Sequence, residues 1–394
     1  MNILVVNVGS STIKYQLFDM DNESVVCKGL LDKVGIKGSV LEHKQTGKKT
    51  EKIEKDIDDH KTGMDMILSV LLGDRTEDVR IDAVGHRVVH GGESFSSSVV
   101  IDDSVIKAIE DCSSLAPLHN PPNLMGIMSC TELLPGIPHV AVFDTAFHQT
   151  MRPENYLYAI PREAYEKYKV RRYGFHGTSH EYVSKVAAEI LGKPYEECRI
   201  ITLHLGSGAS MAAISNGLVV DTSMGFTPLE GLVMGTRSGD MDPAIVCYLM
   251  EKLDLGPDEM NDYLNKKSGL LGLSGVSADL RYVIEAADSG NQDAKEALEV
   301  YCQRIKGYIG NYMAKLNGCD CLVFTAGVGE NSSLVREKVL ENLDALGIVL
   351  DKEKNTSGCM NCDISVPGTR VRIFVVPTNE ELMIARETLE LTKQ

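Results

Sequence analysis

Two arginines, a histidine and an aspartate stand where folding alone gives them little reason to be. Arg87 interrupts the apolar run Ala83-Val84-Gly85-His86-Arg87-Val88-Val89, which otherwise reads as a buried strand and closes on His90-Gly91-Gly92. A guanidinium inside such a strand is costly unless a counter-ion meets it. That partner is either a carboxylate of the fold or, the reading favoured here, the anion of a ligand. Arg237 lies in the Gly/Ser/Thr-rich, strand-poor stretch Asp221–Pro243. Its interspersed apolar residues argue against disorder, and long loops inside compact domains tend to be functional, which makes Arg237 a second anion-binding candidate. Asp144 ends the apolar run Pro138–Phe143, at a strand end where α/β folds gather active groups; a helix or turn cap is its other role. His176 is placed in the loop before a helix His180–Leu191 capped by Ser179, where a ring N–H can be offered to an anion. His176 and His180 are four apart, but Gly177 and the cap position argue against one helical face and against a zinc pair.

Charged groups of this kind need a scaffold, and the chain opens on one. Ile3–Val6 reads as a buried strand, Asn7–Thr12 as a small polar turn, and the alternation Ile13, Tyr15, Leu17 as a returning strand. Gly9 lets backbone approach a ligand, while Ser10, Ser11 and Thr12 place hydroxyls beside a run of N–H groups, as a phosphate cradle requires. The pattern returns about 200 residues later: Val6-Asn7-Val8-Gly9-Ser10 falls on Leu203-His204-Leu205-Gly206-Ser207, and each copy continues into a further strand at 24–28 and 217–221. A duplicated domain is expected, each half contributing one hairpin to a shared cleft that grips a polyphosphate. Asn291–Leu316 reads as a long amphipathic helix leading to the strand Cys321–Ala326 and then Gly327-Val328-Gly329-Glu330-Asn331-Ser332. This is G-x-G between strand and helix with the third glycine of the dinucleotide fingerprint missing. No G-x-x-x-x-G-K-[ST] occurs, so a P-loop is excluded.

The bulk properties narrow the partners. With 40 Lys+Arg against 56 Asp+Glu the net charge is −16, which disfavours nucleic acid while leaving room for a local cationic pocket. No apolar run reaches membrane-span length and no signal-peptide pattern opens the chain, so a cytoplasmic protein with no membrane contact is expected. Ten cysteines are scattered, and Cys359-Met360-Asn361-Cys362 is a lone C-x-x-C without a second pair or histidine at zinc spacing; neither zinc nor redox use is expected of it.

Taken together the motifs N-V-G-S-S-T-I-K-Y, H-R-V-V-H-G-G, F-D-T-A-F-H, Y-G-F-H-G-T-S-H, H-L-G-S-G-A-S, G-T-R-S-G-D-M-D-P, D-L-R, F-T-A-G-V-G-E-N and P-T-N-E-E, in that order over essentially the full length, resemble the acetate kinase family of the acetate and sugar kinase, Hsc70 and actin superfamily. The resemblance implies an α/β protein of two actin-like (RNase H-like) domains, each a mixed β-sheet flanked by helices, with a cleft between them: residues 1–147 plus 382–394, and a nucleotide-binding domain 148–381. It implies reversible transfer of phosphate from ATP to acetate, giving acetyl phosphate and ADP, in a homodimer. Asn7 and Glu380 would hold Mg²⁺, or Mn²⁺ in its place, with Lys14 near the nucleotide. Arg87, Asp144, His176 and Arg237 would be catalytic, with Arg87 also binding substrate, and Val89, Leu118, Phe175 and Pro228 would receive the acyl methyl. Nucleotide contacts would come from His204, Leu205, Gly206, Ser207 and Gly208, from Asp279, Leu280 and Arg281, and from Gly327, Val328, Gly329, Glu330 and Asn331. Two positions depart from the family: Ser207 stands where Asn is usual and Thr12 where Ser is usual, which bears on nucleotide affinity or phosphate choice rather than on the reaction. A longer acid (propionate or butyrate) is the nearest alternative, and a non-catalytic ATP-dependent clamp the alternative from another class.

Overall fold

Both Gly/Ser turns sit at the tips of β-hairpins in the computed structural model, which describes all residues except 74–79, 118 and 394. The chain divides into two compact units, Met1–Gln149 with Asn379–Gln394, and Thr150–Thr378. The first unit holds β1 (Asn2–Val8), β2 (Thr12–Asp19), β3 (Ser24–Asp32), β4 (Val40–Gln45), β5 (Glu51–Glu54), β6 (Ala83–Val88), β7 (Val99–Val100) and β8 (His139–Phe143), in one sheet of order β5-β4-β3-β2-β1-β6-β8-β7. The second holds β9 (Arg199–Leu205), β10 (Ala209–Ser215), β11 (Leu218–Thr222), β12 (Cys321–Thr325), β13 (Cys362–Asp363) and β14 (Arg372–Val375), ordered β11-β10-β9-β12-β14-β13.

The repeat seen in the sequence is a repeat of topology. β3-β2-β1-β6-β8 and β11-β10-β9-β12-β14 follow one plan, with the hairpin strands antiparallel and the inner strands parallel. Each also carries a register shift in its second hairpin, at Leu17/Phe18 and at Ala213/Ile214. β1 lies inside its sheet with Ile3, Leu4, Val5 and Val6 at most 1% exposed, which is why its sequence is a continuous apolar run and not an alternation. β2 alternates, burying Ile13, Tyr15 and Leu17 and leaving Lys14 exposed. Helices cover the sheets. The C-terminal helix Glu380–Thr392 packs on β6, β1 and β8, and Gly177–Leu191 packs on β9 and β12. The long helix Gln292–Lys315, capped by Asn291, lies against β10 and against the helices Gly269–Ser274 and Leu280–Asp288.

Two local readings are corrected. The cap of the helix Gly177–Leu191 is not Ser179 but His176, whose φ of 57° is left-handed; Ser179 lies inside the first turn with its hydroxyl committed to side chains. The G-x-G segment is not a loop: Ala326–Asn331 is itself a short helix, entered through Ala326 at φ 62°. The stretch 223–243 forms no helix or strand, and its order comes from side chains. Arg172 donates to Glu230 at 2.6 Å, Gly231 N–H to Asp240 Oδ1 at 2.8 Å, and the Tyr308 hydroxyl to Asp240 Oδ2 at 2.7 Å.

Candidate active site

In the first unit the acidic and basic candidates converge. β6 ends on Arg87-Val88 and its parallel neighbour β8 ends on Phe143, so Arg87 and Asp144 emerge side by side, with Asp144 N–H bonded to Val88 O at 2.9 Å. Arg87 Nε and Nη2 donate to Asp144 Oδ1 and Oδ2 at 2.9 and 2.7 Å, a bidentate pair in which the arginine side chain is 21% exposed and the aspartate 3%. The counter-ion of the strand arginine is therefore a carboxylate of the fold, against the ligand reading favoured from sequence. Burial works to lower the Arg87 pKa, but Asp144, then Glu380 and Glu381, raise it well above the usual range.

Glu380 and Glu381 open the C-terminal helix, capped by Asn379, whose side chain accepts from Leu382 N–H. Burial, then the charges of Asp144 and Glu381, push the Glu380 carboxyl above its ordinary value against the pull of Arg87 and Lys14. Burial also works to raise Glu381, but its ion pair with Lys14 outweighs it and holds that carboxyl below its usual range. Lys14 is committed to Glu381, a partner the sequence reading missed. Asn7 sits opposite Lys14 in the β1/β2 register, at the base of the turn closed by the Gly9 N–H to Thr12 O bond of 2.8 Å. Neither the Asn7 amide nor the Glu380 carboxylate has a side-chain hydrogen-bond partner among the described residues. A carboxylate in an acidic surround and an uncommitted amide oxygen fit a hard divalent cation. Val89 follows β6, its N–H donated to Asn123 Oδ1 at 3.0 Å, and Leu118 lies outside the described residues.

The second unit gathers the remaining candidates around the β9–β10 turn. His176 Nδ1 lies 2.8 Å from Ser210 Oγ, and His180 Nε2 lies 2.8 Å from the same oxygen. The two rings thus share a partner on one side of their helix, contrary to the cap argument, yet no group of three His, Cys, Asp or Glu able to hold a metal occurs among the described residues. The His176 ring stacks on His204 at 4.2 Å between centroids, and Ser179 Oγ is 2.7 Å from both His204 Nδ1 and Thr378 Oγ1. Arg237 comes to the same turn: a Cβ on Gly208 would stand 3.5 Å from Arg237 Nη1 and 3.7 Å from His176 Nε2. Arg237 is half-buried, burial lowers its pKa, and its hydrogen-bond contacts are neutral, Pro228 O at 3.2 Å and the Met234 sulfur at 3.6 Å. No carboxylate pairs with it among the described residues. A half-buried cation without a carboxylate partner among the described residues, beside a ring nitrogen and a glycine turn, is arranged to receive an anion. Phe175 is buried next to His176, 3% exposed.

A cavity of about 630 Å³ adjoins this cluster. Gly206, Ser207, Asp279, Leu280, Arg281, Gly327, Val328 and Asn331 line it, bringing three separate sequence segments to one wall. Asp279 caps the helix Leu280–Asp288 and pairs with Arg281 at 2.5 Å, which fixes the polar rim. His204, Leu205, Gly208, Gly329 and Glu330 are not among the lining residues, and Glu330 accepts Thr378 N–H at 3.1 Å. Lys14 is not among the lining residues. Leu270, Ile284 and Tyr301 also line the cavity and were missed, because on amphipathic helices they read as ordinary core.

Comparison with known proteins identifies the family. The profile of the acetokinase family matches residues 2–386. The acetate kinase of Syntrophomonas wolfei is 62% identical over 397 residues covering all of both chains. The crystal structure of Porphyromonas gingivalis acetate kinase superposes with a TM-score of 0.94 at 49% identity, covering 99% of each chain. That of a propionate kinase from Francisella tularensis gives 0.93 at 41% identity, again over 99% of each. With the motifs, the duplicated mixed sheets and full-length similarity in agreement, the chain belongs to the acetokinase family.

Proposed function

We propose that the protein catalyses reversible, Mg²⁺-dependent transfer of the γ-phosphoryl group of ATP to acetate, forming acetyl phosphate and ADP by direct in-line attack. The observation that carries this reading is Arg237, half-buried without a carboxylate partner among the described residues, beside His176 at the Gly208 turn and next to a nucleoside-sized cavity. Phosphoryl transfer needs alignment and positive charge where the equatorial oxygens carry charge, not covalent help. Arg237 meets the transferring group, and His176, its Nδ1 at Ser210, presents Nε2 as a further donor. Arg87 attracts the carboxylate substrate with the N–H groups Asp144 leaves uncommitted, so Asp144 acts as an orienter. A carboxylate is ionised at neutral pH, and no general base is needed. Mg²⁺, or Mn²⁺, held by Asn7 and Glu380 would neutralise charge on the phosphates. The cavity lined by Ser207, Asp279, Arg281 and Asn331 takes the nucleoside, so the nucleotide-binding unit is Thr150–Thr378, and residues 379–381, expected with it, fall instead in the unit of Met1–Gln149. A cytoplasmic site of action fits; among the described residues no helix is long and apolar enough to cross a membrane.

Propionate is the second reading, favoured by the similarity to the Francisella tularensis propionate kinase. One methylene changes discrimination by only about 1–3 kcal/mol, so both acids are expected to react, acetate faster. A homodimer is supported by the helix Ala244–Leu253, in which no residue is buried although Ile245, Tyr248 and Leu253 are 40%, 60% and 47% exposed.

The test is acyl phosphate formation, trapped as hydroxamate, from Mg·ATP with acetate, propionate or butyrate, for wild type and Arg237→Ala. Product preferentially from acetate, reduced about 10²–10³-fold in the variant, is expected. A preference for a longer acid would move the substrate and keep the mechanism. No acyl phosphate from any acid, with ATP still bound, would overturn the kinase reading in favour of a clamp. A hydroxylamine-sensitive phosphoryl label on Glu380, competent to pass to acetate, would replace direct transfer by a covalent intermediate.

A further inference from the structure

Cys359 and Cys362 have no part in the proposed reaction, yet the fold presents them differently from the other eight cysteines. Seven of those are buried and Cys247 alone is exposed. Cys359 is exposed and Cys362 half-buried, their Cα atoms 6.0 Å apart, and a disulfide joins them. That Cα separation is ordinary for a bridge. The sequence reading gave this C-x-x-C no redox role because it lacks a zinc partner; the structure gives the two sulfurs a geometry that does not depend on one.

What holds the sulfurs together is the backbone. Gly358 at φ 71° and Asn361 at φ 53° turn the chain back through left-handed conformations. Asn361 N–H donates to Val375 O at 2.8 Å, Cys362 then pairs with Val375 and Asp363 with Phe374, and Asp363 is ion-paired to Arg372. None of these contacts involves a sulfur atom, so none requires the bridge to be closed. A bridge spanning two intervening residues closes a very small loop and removes little entropy from the unfolded chain, which makes it a weak staple. Its exposure and its C-x-x-C spacing are those of exchanging pairs.

We propose that Cys359 and Cys362 form a reversible dithiol–disulfide site that exchanges with low-molecular-weight disulfides and thiols, and that its oxidised state anchors the edge strand β13 more firmly on β14. The exposed Cys359 thiolate attacks one sulfur of the external disulfide, and the first thiolate leaves. The Cys362 thiolate then attacks the Cys359 sulfur of the mixed disulfide, and the second thiolate leaves. The two protein thiols are oxidised, the external disulfide is reduced, and the two protons go to the departing thiolates. The anchoring has somewhere to act. Beyond β14 the chain runs on to Val376, whose N–H bonds Phe324 O at 3.0 Å, and to Thr378, which holds Glu330 through its N–H and Ser179 through its hydroxyl.

The full-length protein is equilibrated in glutathione buffers of stepped reduced-to-oxidised ratio, quenched in acid and alkylated, and the tryptic peptide 355–370, which holds both cysteines, is weighed. The expected result is one transition in which the two thiols are lost together, absent from Cys359→Ser and Cys362→Ser, each of which takes up at most one glutathione. A pair that stays doubly alkylated at every ratio, or that collects only glutathione adducts, would overturn the site. Amide hydrogen exchange of 361–364 is measured on both redox forms, with several-fold slower exchange expected when oxidised. Equal exchange would overturn the anchoring of β13. Neither readout depends on the reaction proposed above, so failure of the kinase reading and failure of this inference are separately visible.

Discussion

At the scale of residues, two arginines that look alike in sequence have opposite surroundings. Arg87 is neutralised by Asp144 through two hydrogen bonds, whereas Arg237 is half-buried with no carboxylate partner among the described residues. Asp144→Asn would leave the Arg87 charge uncompensated; breaking a buried pair costs about 3–5 kcal/mol, and the 21% exposure of Arg87 puts the expected loss at the low end, read from denaturant midpoints. Glu380 gives a pH-dependent expectation. Its carboxyl is raised by burial and by Asp144 and Glu381, so the folded protein holds that proton more tightly than the unfolded chain. The stability this group contributes is complete below the ordinary glutamate value of 4.5 and is lost as pH rises through the raised one. Glu380→Gln should therefore raise the melting temperature of the ligand-free protein at neutral pH while abolishing Mg²⁺-dependent activity. Because proton and cation compete for the same carboxylate, Mg²⁺ affinity of the wild type should begin to weaken on acidification at a pH above 4.5, measured by cation titration across a pH series.

At the scale of elements, what places Glu380 is the seat of its helix. Gly85 on β6 has no side chain because the helix Glu380–Thr392 crosses there: a Cβ would come within 2.4 Å of Thr388 Oγ1 and 2.7 Å of Ile384 Cγ2. Gly85→Ala should push the helix outward at a cost of about 1–3 kcal/mol and weaken Mg²⁺ binding with it. Adding Thr388→Ala removes the nearer clash and should restore part of both. If the single variant melts like wild type, the seat is looser than these distances imply. In the other unit, Ser210 of β10 is the common partner of His176 and His180. Ser210→Ala should lower kcat by roughly tenfold and leave the nucleotide dissociation constant nearly unchanged, since it frees the ring that faces Gly208 without touching the cavity lining.

At the scale of the whole molecule, the helix Ala244–Leu253 is an element without an interior. Its sequence Ala-Ile-Val-Cys-Tyr-Leu-Met-Glu-Lys-Leu is largely apolar, yet none of it is buried in the single chain. A second copy of the chain is the occupant we expect. Ile245→Asp with Tyr248→Asp should turn the proposed dimer into a folded monomer, seen as a halved mass by light scattering with an unchanged circular dichroism spectrum. A dimer that survives both substitutions would move the interface elsewhere.

Much of this was legible in the chain itself. The hairpin repeat, the strands that carry Arg87 and lead to Asp144 and the long helix after Asn291 rest on local patterns, and the three segments that line the cavity on motifs shared with a family. Such patterns report periodicity and turn chemistry, and those are properties of neighbouring residues. Tertiary structure decided what is non-local. Asp144 rather than a ligand became the partner of Arg87 because β6 and β8 run parallel and end together. Glu381 claimed Lys14 across 367 positions, Ser210 tied two histidines that Gly177 and the cap position had argued apart, and a C-x-x-C set aside for want of a second pair or a histidine was brought into register by pairing with β14. A counter-ion or hydrogen-bond partner is chosen by which side chain reaches through space first, and a single sequence holds no record of that distance.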